Sequence, residues 1–142
     1  MKLIRGGTVV NANHTGRYDV LIVGEKIAAL IDPRSDMLDS LEGWDCEILD
    51  ASGKYVIPGG VDSHVHLQLP MSDEATSNDT FETGTQAAAW GGTTTVIDFA
   101  GQIKGSSVPD AIESRLAEAE GQCAIDYSLH LLSLIHISEP TR

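Results

Sequence analysis

Ile57-Pro58-Gly59-Gly60-Val61-Asp62-Ser63-His64-Val65-His66-Leu67-Gln68-Leu69-Pro70 is the stretch from which the fold of this chain can be read. Val61, Ser63 and Val65 alternate with Asp62, His64 and His66, the period of two that marks a β-strand. Residues i and i+2 of a strand share a face, so the two imidazoles stand side by side. Neutral imidazoles that close, with a carboxylate two residues before the first, suit a divalent transition metal such as zinc. A bare H-x-H on a strand is often only polar surface. Here the glycine turn, the aspartate and the apolar approach favour the metal. Pro58-Gly59-Gly60 brings the chain sharply into the strand, and Leu69-Pro70 takes it out.

Downstream the pattern alternates between elements. A polar loop, 72–79, leads to Thr80, an N-cap with Thr83 three residues on and Glu82 near the positive end of the helix dipole. Phe81 to Trp90 is an alanine-rich helix stopped by Gly91-Gly92. Thr93 to Phe99 is a β-branched run that reads as a buried strand. Val108 to Gly121 is an amphipathic helix with Pro109 in its first turn and Ile112, Leu116 and Ala119 on one side. Ala124 to Leu131 is another strand. The order β-α-β-α-β implies parallel strands, the opening of an α/β barrel or a doubly wound sheet. In a barrel the reactive groups sit at the C-terminal ends of strands, where His64 and His66 fall.

Upstream the pieces are shorter. Lys2–Ile4 and Thr8–Val10 flank Gly6-Gly7 as strand, turn, strand. Asp19–Val23 and Lys26–Ile31 flank Gly24-Glu25, a hairpin signal. Residues 35–45 form a polar, acidic loop with at most a helical turn. Glu47–Asp50 and Lys54–Ile57 make a third pair around Ser52-Gly53. Four to six short strands with no helix before Ile57 indicate a small β-sandwich.

A chain of 142 residues, 42% of them hydrophobic, can bury a core, and no apolar run is long enough to cross a membrane. The N-terminus reaches Gly6-Gly7 before a signal-peptide core can develop, so a cytoplasmic location is expected. Cys46 and Cys123 have no metal or redox spacing, which fits a reducing compartment. A net charge of −12 argues against nucleic acid or an anionic membrane as partner, since both need basic patches.

The residues also carry a resemblance. PGGVDSHVH resembles the first barrel strand of the amidohydrolase superfamily. HVHLQLP, FETGTQAAAWGGTTTVIDFA and DYSLH, in that order, resemble the dihydropyrimidinase/hydantoinase family, over Lys2 to Leu131. The resemblance implies an α/β fold: the start, about three strands, of a TIM-like (β/α)8 metallo-dependent hydrolase barrel over 57–131, preceded by part of a small β-sandwich domain over 1–56. It implies ring opening of dihydropyrimidines or 5-substituted hydantoins to N-carbamoyl amino acids. It also implies two divalent metal ions, zinc, bridged by a carboxylated lysine beyond Leu131. His64 and His66 would be metal ligands at the more buried ion. The other ligands, the general base and a tyrosine aiding the oxyanion would also follow Leu131, so no catalytic residue lies in this chain and the chain alone should be inactive. The full-length protein would be a homotetramer.

By the same resemblance Leu69 and Met71 are substrate-binding, lining a substituent pocket, although both could simply seal the barrel mouth. Loop 71–79 departs from the glycine-containing form usual in the family. Dihydroorotases and allantoinases place an arginine two residues after the second histidine; Gln68 stands there. No guanidinium can grip an acidic substrate at that position, so a neutral ring with an apolar substituent is the better match. The alternatives are an allantoinase-like or other cyclic amidohydrolase and a non-catalytic scaffold relative; the scaffolds typically lose the histidine pair kept here. Asp62 reads less as a ligand or base than as a hydrogen-bonding group, either behind a metal ligand or at the strand end. Asp98 reads as structural or as a support behind a ligand, and His130 as a packed or hydrogen-bonded histidine.

The tail, 132–142, LSLIHISEPTR, resembles the translation of a transposase adapter from sequencing libraries. On that reading it is not native, His136 and Glu139 carry no functional weight, and the gene product continues beyond Leu131. A barrel opened after its third strand leaves unpaired edges and bare apolar faces, so such a piece should fold poorly and aggregate.

Overall fold

The computed structural model describes residues 1–41, 44–71, 75–103 and 105–132, in two compact units that divide after Pro58. The first unit holds β1 (Lys2–Arg5), β2 (Thr8–Val10), β3 (Thr15–Arg17), β4 (Asp19–Val23), β5 (Lys26–Ile31), α1 (Met37–Ser40), β6 (Glu47–Asp50) and β7 (Tyr55–Val56). They form one sheet in the order β5-β4-β1-β6 and another in the order β3-β2-β7. The hairpin expected around Gly24 is present, with Gly24 in the left-handed region at φ 61°.

The other two expected pairs are not hairpins. β6 runs parallel to β1, and β7 runs parallel to β2. The Gly6-Gly7 and Ser52-Gly53 steps therefore carry two parallel segments from one sheet to the other. Ala51 N–H donates to Arg5 O at 2.8 Å and Thr8 N–H to Lys54 O at 2.9 Å, which keeps the segments paired through the step. A Cβ on Gly7 would stand 2.6 Å from Val56 Cγ2, so the close approach requires glycine. Leu3, Leu21 and Ile31 from the larger sheet are buried against Leu38 and Leu41, which explains the short α1 inside an acidic loop.

The second unit holds β8 (Gly60–Asp62), α2 (Phe81–Trp90), β9 (Thr93–Gly101), α3 (Val108–Ala119) and β10 (Asp126–Leu132). Its three strands are parallel in the order β10-β9-β8, each helix crossing to the next strand. Such sequential parallel pairing is how a (β/α)8 barrel begins. Thr80 caps α2: its Oγ1 accepts from Thr83 N, and Thr83 Oγ1 accepts from Thr80 N, both at 3.0 Å. Replacing Thr80 by alanine is expected to cost about 1 kcal/mol in chemical denaturation; an unchanged midpoint would mean the cap is idle. Gly92, at φ 85°, ends α2. Ser107 and Asp110 form a second capping box, on α3, that the sequence reading passed over.

Leu67, Phe81, Val96 and Ala119 make the core of this unit. Thr85, fully buried, accepts from Ala124 N at 2.9 Å and so fixes the approach to β10. The face of α3 differs from expectation: Ala111, Arg115 and Ala119 are buried, whereas Leu116 is 41% exposed. The cause is a buried carboxylate on β9, described below. Among the described residues no helix is long and apolar enough to cross a membrane.

Leu132, the first residue of the tail read as 132–142, is the last described residue and closes β10, paired with Gly101; 133–142 lie outside the described residues. β8 and β10 are sheet edges with exposed apolar side chains, Val61 at 63% and Leu131 and Leu132 at 39% each. The 142-residue chain is therefore expected to self-associate. Sedimentation velocity checks this, and a single monomeric species with a cooperative melt would contradict it.

Candidate metal centre

Regular pairing of β8 stops at Asp62, so His64 and His66 follow the strand instead of lying within it. The extended direction is nevertheless kept. Asp62 Oδ1 accepts from His64 N at 3.1 Å, the strand-end role expected for it, and Val65 N donates to Ile97 O of β9 at 3.2 Å. The two histidines thus share a side, and their Nε2 atoms converge to 3.2 Å with the rings 88° apart. Two imidazole nitrogens on one tetrahedral ion, each at roughly 2.0–2.1 Å, stand about 3.3 Å apart. The pair fits a shared divalent cation in both atom type and spacing. Both rings are solvent-exposed. Among the described residues no third histidine, cysteine or carboxylate joins them, so they amount to part of a ligand set.

One aromatic ring underlies the pair. Phe99, on β9, has its centroid 4.7 Å from that of His64 and 5.1 Å from that of His66. On its other side lies His130 of β10, at 5.2 Å, whose Nε2–H donates to Ser63 O at 3.1 Å. His130 is therefore packed and hydrogen-bonded.

Asp98, next to Phe99 and fully buried, is a structural anchor. Its Oδ1 accepts from Phe99 N at 2.8 Å and its Oδ2 pairs with Arg115 Nη2 at 2.5 Å. Arg115 also donates to the carbonyl of Leu67, directly after His66, and to Glu118 Oε2 at 2.5 Å, while its guanidinium lies 4.5 Å over the ring of Phe81. Sequence reasoning missed this arginine. The available signal was the stripe Ala111–Arg115–Ala119, in which small neighbours one turn away leave room for a long side chain to turn inward. Cys123 packs against the same core, and burial, with the Asp98 charge second, pushes its thiol up.

Gln68 has a positive φ, 47°, and its Oε1 accepts from Phe81 N at 3.0 Å, capping α2. The segments flanking 72–74 pair antiparallel: Leu69 N donates to Ser77 Oγ at 2.9 Å and Met71 N to Ala75 O at 2.7 Å, with Pro70 bridged to Thr76. Ser77 Oγ donates in turn to His66 O at 3.1 Å, tying the returning segment to the second histidine. Leu69 is half-buried, whereas Met71 is 69% exposed. The loop's residues 72–74 lie outside the described residues.

The model of the family described as "Amidohydrolase family" matches residues 55–135. A D-hydantoinase of Streptomyces coelicolor is 47% identical over 130 residues, 92% of this chain and 27% of the relative. A dihydropyrimidinase of Rattus norvegicus is 44% identical over 129 residues, 91% of this chain and 24% of the relative. The solved structure of a D-hydantoinase from Bacillus sp. AR9 superposes with a TM-score of 0.80 at 45% identity, covering 92% of this chain and 26% of that one. The chain spans about a quarter of the length of the curated relatives it matches.

Proposed function

From the premise that this chain belongs to the amidohydrolase family, we propose that its residues form the N-terminal quarter of a metal-dependent cyclic amidohydrolase. The reaction would be hydrolytic ring opening of dihydropyrimidines or 5-substituted hydantoins to N-carbamoyl amino acids. The observation that carries this reading is the convergence of His64 and His66 Nε2 at the C-terminal end of the first parallel strand. The domain reading belongs to the proposal: 1–56 as part of a β-sandwich, 57–131 as the opening of the barrel, and 132–142 as foreign sequence.

His64 and His66 would hold one of two zinc ions, the bridging carboxylated lysine coming from later barrel strands. When bound, the metals would activate water and polarise the ring carbonyl, the two demands of hydrolysing an unactivated amide. This chain's own residues then bind and orient. Gln68 offers no positive charge, and its side-chain oxygen is engaged at the α2 N-terminus. That supports a neutral ring over an acidic one. Leu69 and Met71 would line the pocket for an apolar ring substituent, with the bond from Ser77 to His66 O coupling substrate loop to metal site. A cytoplasmic homotetramer is the proposed state of the whole protein.

The test is a protein that carries these residues with the barrel completed, assayed for metal content and for hydrolysis of dihydrouracil and of 5-substituted hydantoins. Metal-dependent ring opening of either supports the reading. A metal-free protein inert to both would end it.

A further inference from the structure

Two exposed histidines can each adopt several staggered rotamers, and only a few combinations aim both Nε2 atoms at one point. In the structure that choice is already made, by groups that are not themselves ligands. We infer that Phe99 is the positioning residue of the His64/His66 pair, its ring forming the floor on which both imidazoles are set before any cation arrives. The inference rests on the metal-site reading above and extends it to a residue with no ligating atom.

The geometry points one way at each step. Phe99 touches both ligand rings, at centroid distances of 4.7 and 5.1 Å, and a third imidazole, His130, packs on it at 5.2 Å. Such distances lie within the range of favourable aromatic pairing. Phe99 is itself held: Asp98 Oδ1 accepts from its N–H, and the other oxygen of Asp98 is clamped by Arg115, 8% exposed in its side chain. The same Nη2 of Arg115 also binds Leu67 O, so one guanidinium ties the backbone after His66 to the Asp98 carboxylate, which in turn holds the Phe99 N–H. On the far side, His130 donates to Ser63 O, the carbonyl just before His64. The segment 63–67 is thus gripped at both ends; between the grips Val65 packs into the core, and the rings of His64 and His66 lie against Phe99. Ligands ordered in advance bind a metal with less loss of rotamer freedom.

The test titrates cobalt(II) and zinc into the apo form of the full chain with its barrel completed, comparing wild type, Phe99→Leu, Phe99→Tyr and His64→Ala. Phe99→Leu is expected to weaken metal binding about tenfold or more and to alter the visible cobalt spectrum, since orienting groups around ligands carry effects of that size. Phe99→Tyr keeps the ring and should stay within about twofold of wild type. A merely structural role would lower the melting temperature of Phe99→Leu while leaving its affinity and spectrum unchanged, and that overturns the inference alone. Equal losses in Phe99→Tyr and Phe99→Leu overturn it too, because the ring would then be irrelevant. If Phe99→Leu does not fold, Phe99→Met takes its place, with the same loss of about tenfold expected and an unchanged affinity and cobalt spectrum overturning the inference. Wild-type metal binding that does not depend on His64 overturns both this inference and the metal-site reading.

Discussion

Replacing His64 by alanine, in a protein with these residues and a completed barrel, is expected to abolish ring-opening activity, with a fall of roughly 100-fold or more in kcat/KM. Metal content by elemental analysis should fall with it. The reason is geometric. His64 and His66 present their Nε2 atoms 3.2 Å apart, and no other described histidine, cysteine or carboxylate stands in reach to replace either. Removing one leaves a single imidazole, whose affinity for a divalent ion is far below that of a chelating pair. Folding should change little, because the ring is solvent-exposed and its one ring-nitrogen partner is the other histidine. Loss of activity and metal with an unchanged melt is therefore the expected signature. Equal activity and metal content in variant and wild type would remove His64 from the site.

The second large effect is expected inside the fold. Asp98→Ala should destabilise the same protein by roughly 3–5 kcal/mol in chemical denaturation, the usual cost of leaving a buried charge without its partner. The side chains of Arg115 and Asp98 are 8% and 1% exposed, so water cannot replace the lost carboxylate. Glu118, a half-exposed neighbour on the same helix, can compensate only in part. The double variant Asp98→Leu with Arg115→Met removes both charges and should recover most of the loss. If the single and double variants are equally unstable, the damage comes from lost packing and not from the orphaned guanidinium. Metal affinity should fall in Asp98→Ala as well, because Asp98 also holds the backbone of Phe99.

Much of the site was legible because its signals are local. The alternation from Val61 to His66 brings two imidazoles to one side whether or not regular pairing continues to their positions, and it does not. Asp62 and Thr80 could be read as hydrogen-bonding caps because each acts on a backbone group two or three residues away. Phe81–Trp90 could be bounded to the residue because a capping pair stands before it and two glycines after it. What could not be read are contacts between distant positions. Phe99 reads as one more apolar residue of a β-branched strand, and nothing in its neighbours says that three histidines converge on it.

The order of strands and helices in the second unit, the Gly24 turn and the shared side of the two imidazoles were settled by the sequence alone, because periodicity, capping and glycine's left-handed backbone act over a few residues. In the first unit β3, Thr15–Arg17, carries no such local signal and was not read. Tertiary structure alone decided that β6 and β7 pair with β1 and β2 instead of with each other, and that Arg115 turns inward where Leu116 was expected. It also committed the side chain of Gln68 to the start of α2. In each case several local arrangements cost about the same. The choice falls to whichever one satisfies a buried polar group, or an unpaired strand edge, supplied by a distant part of the chain.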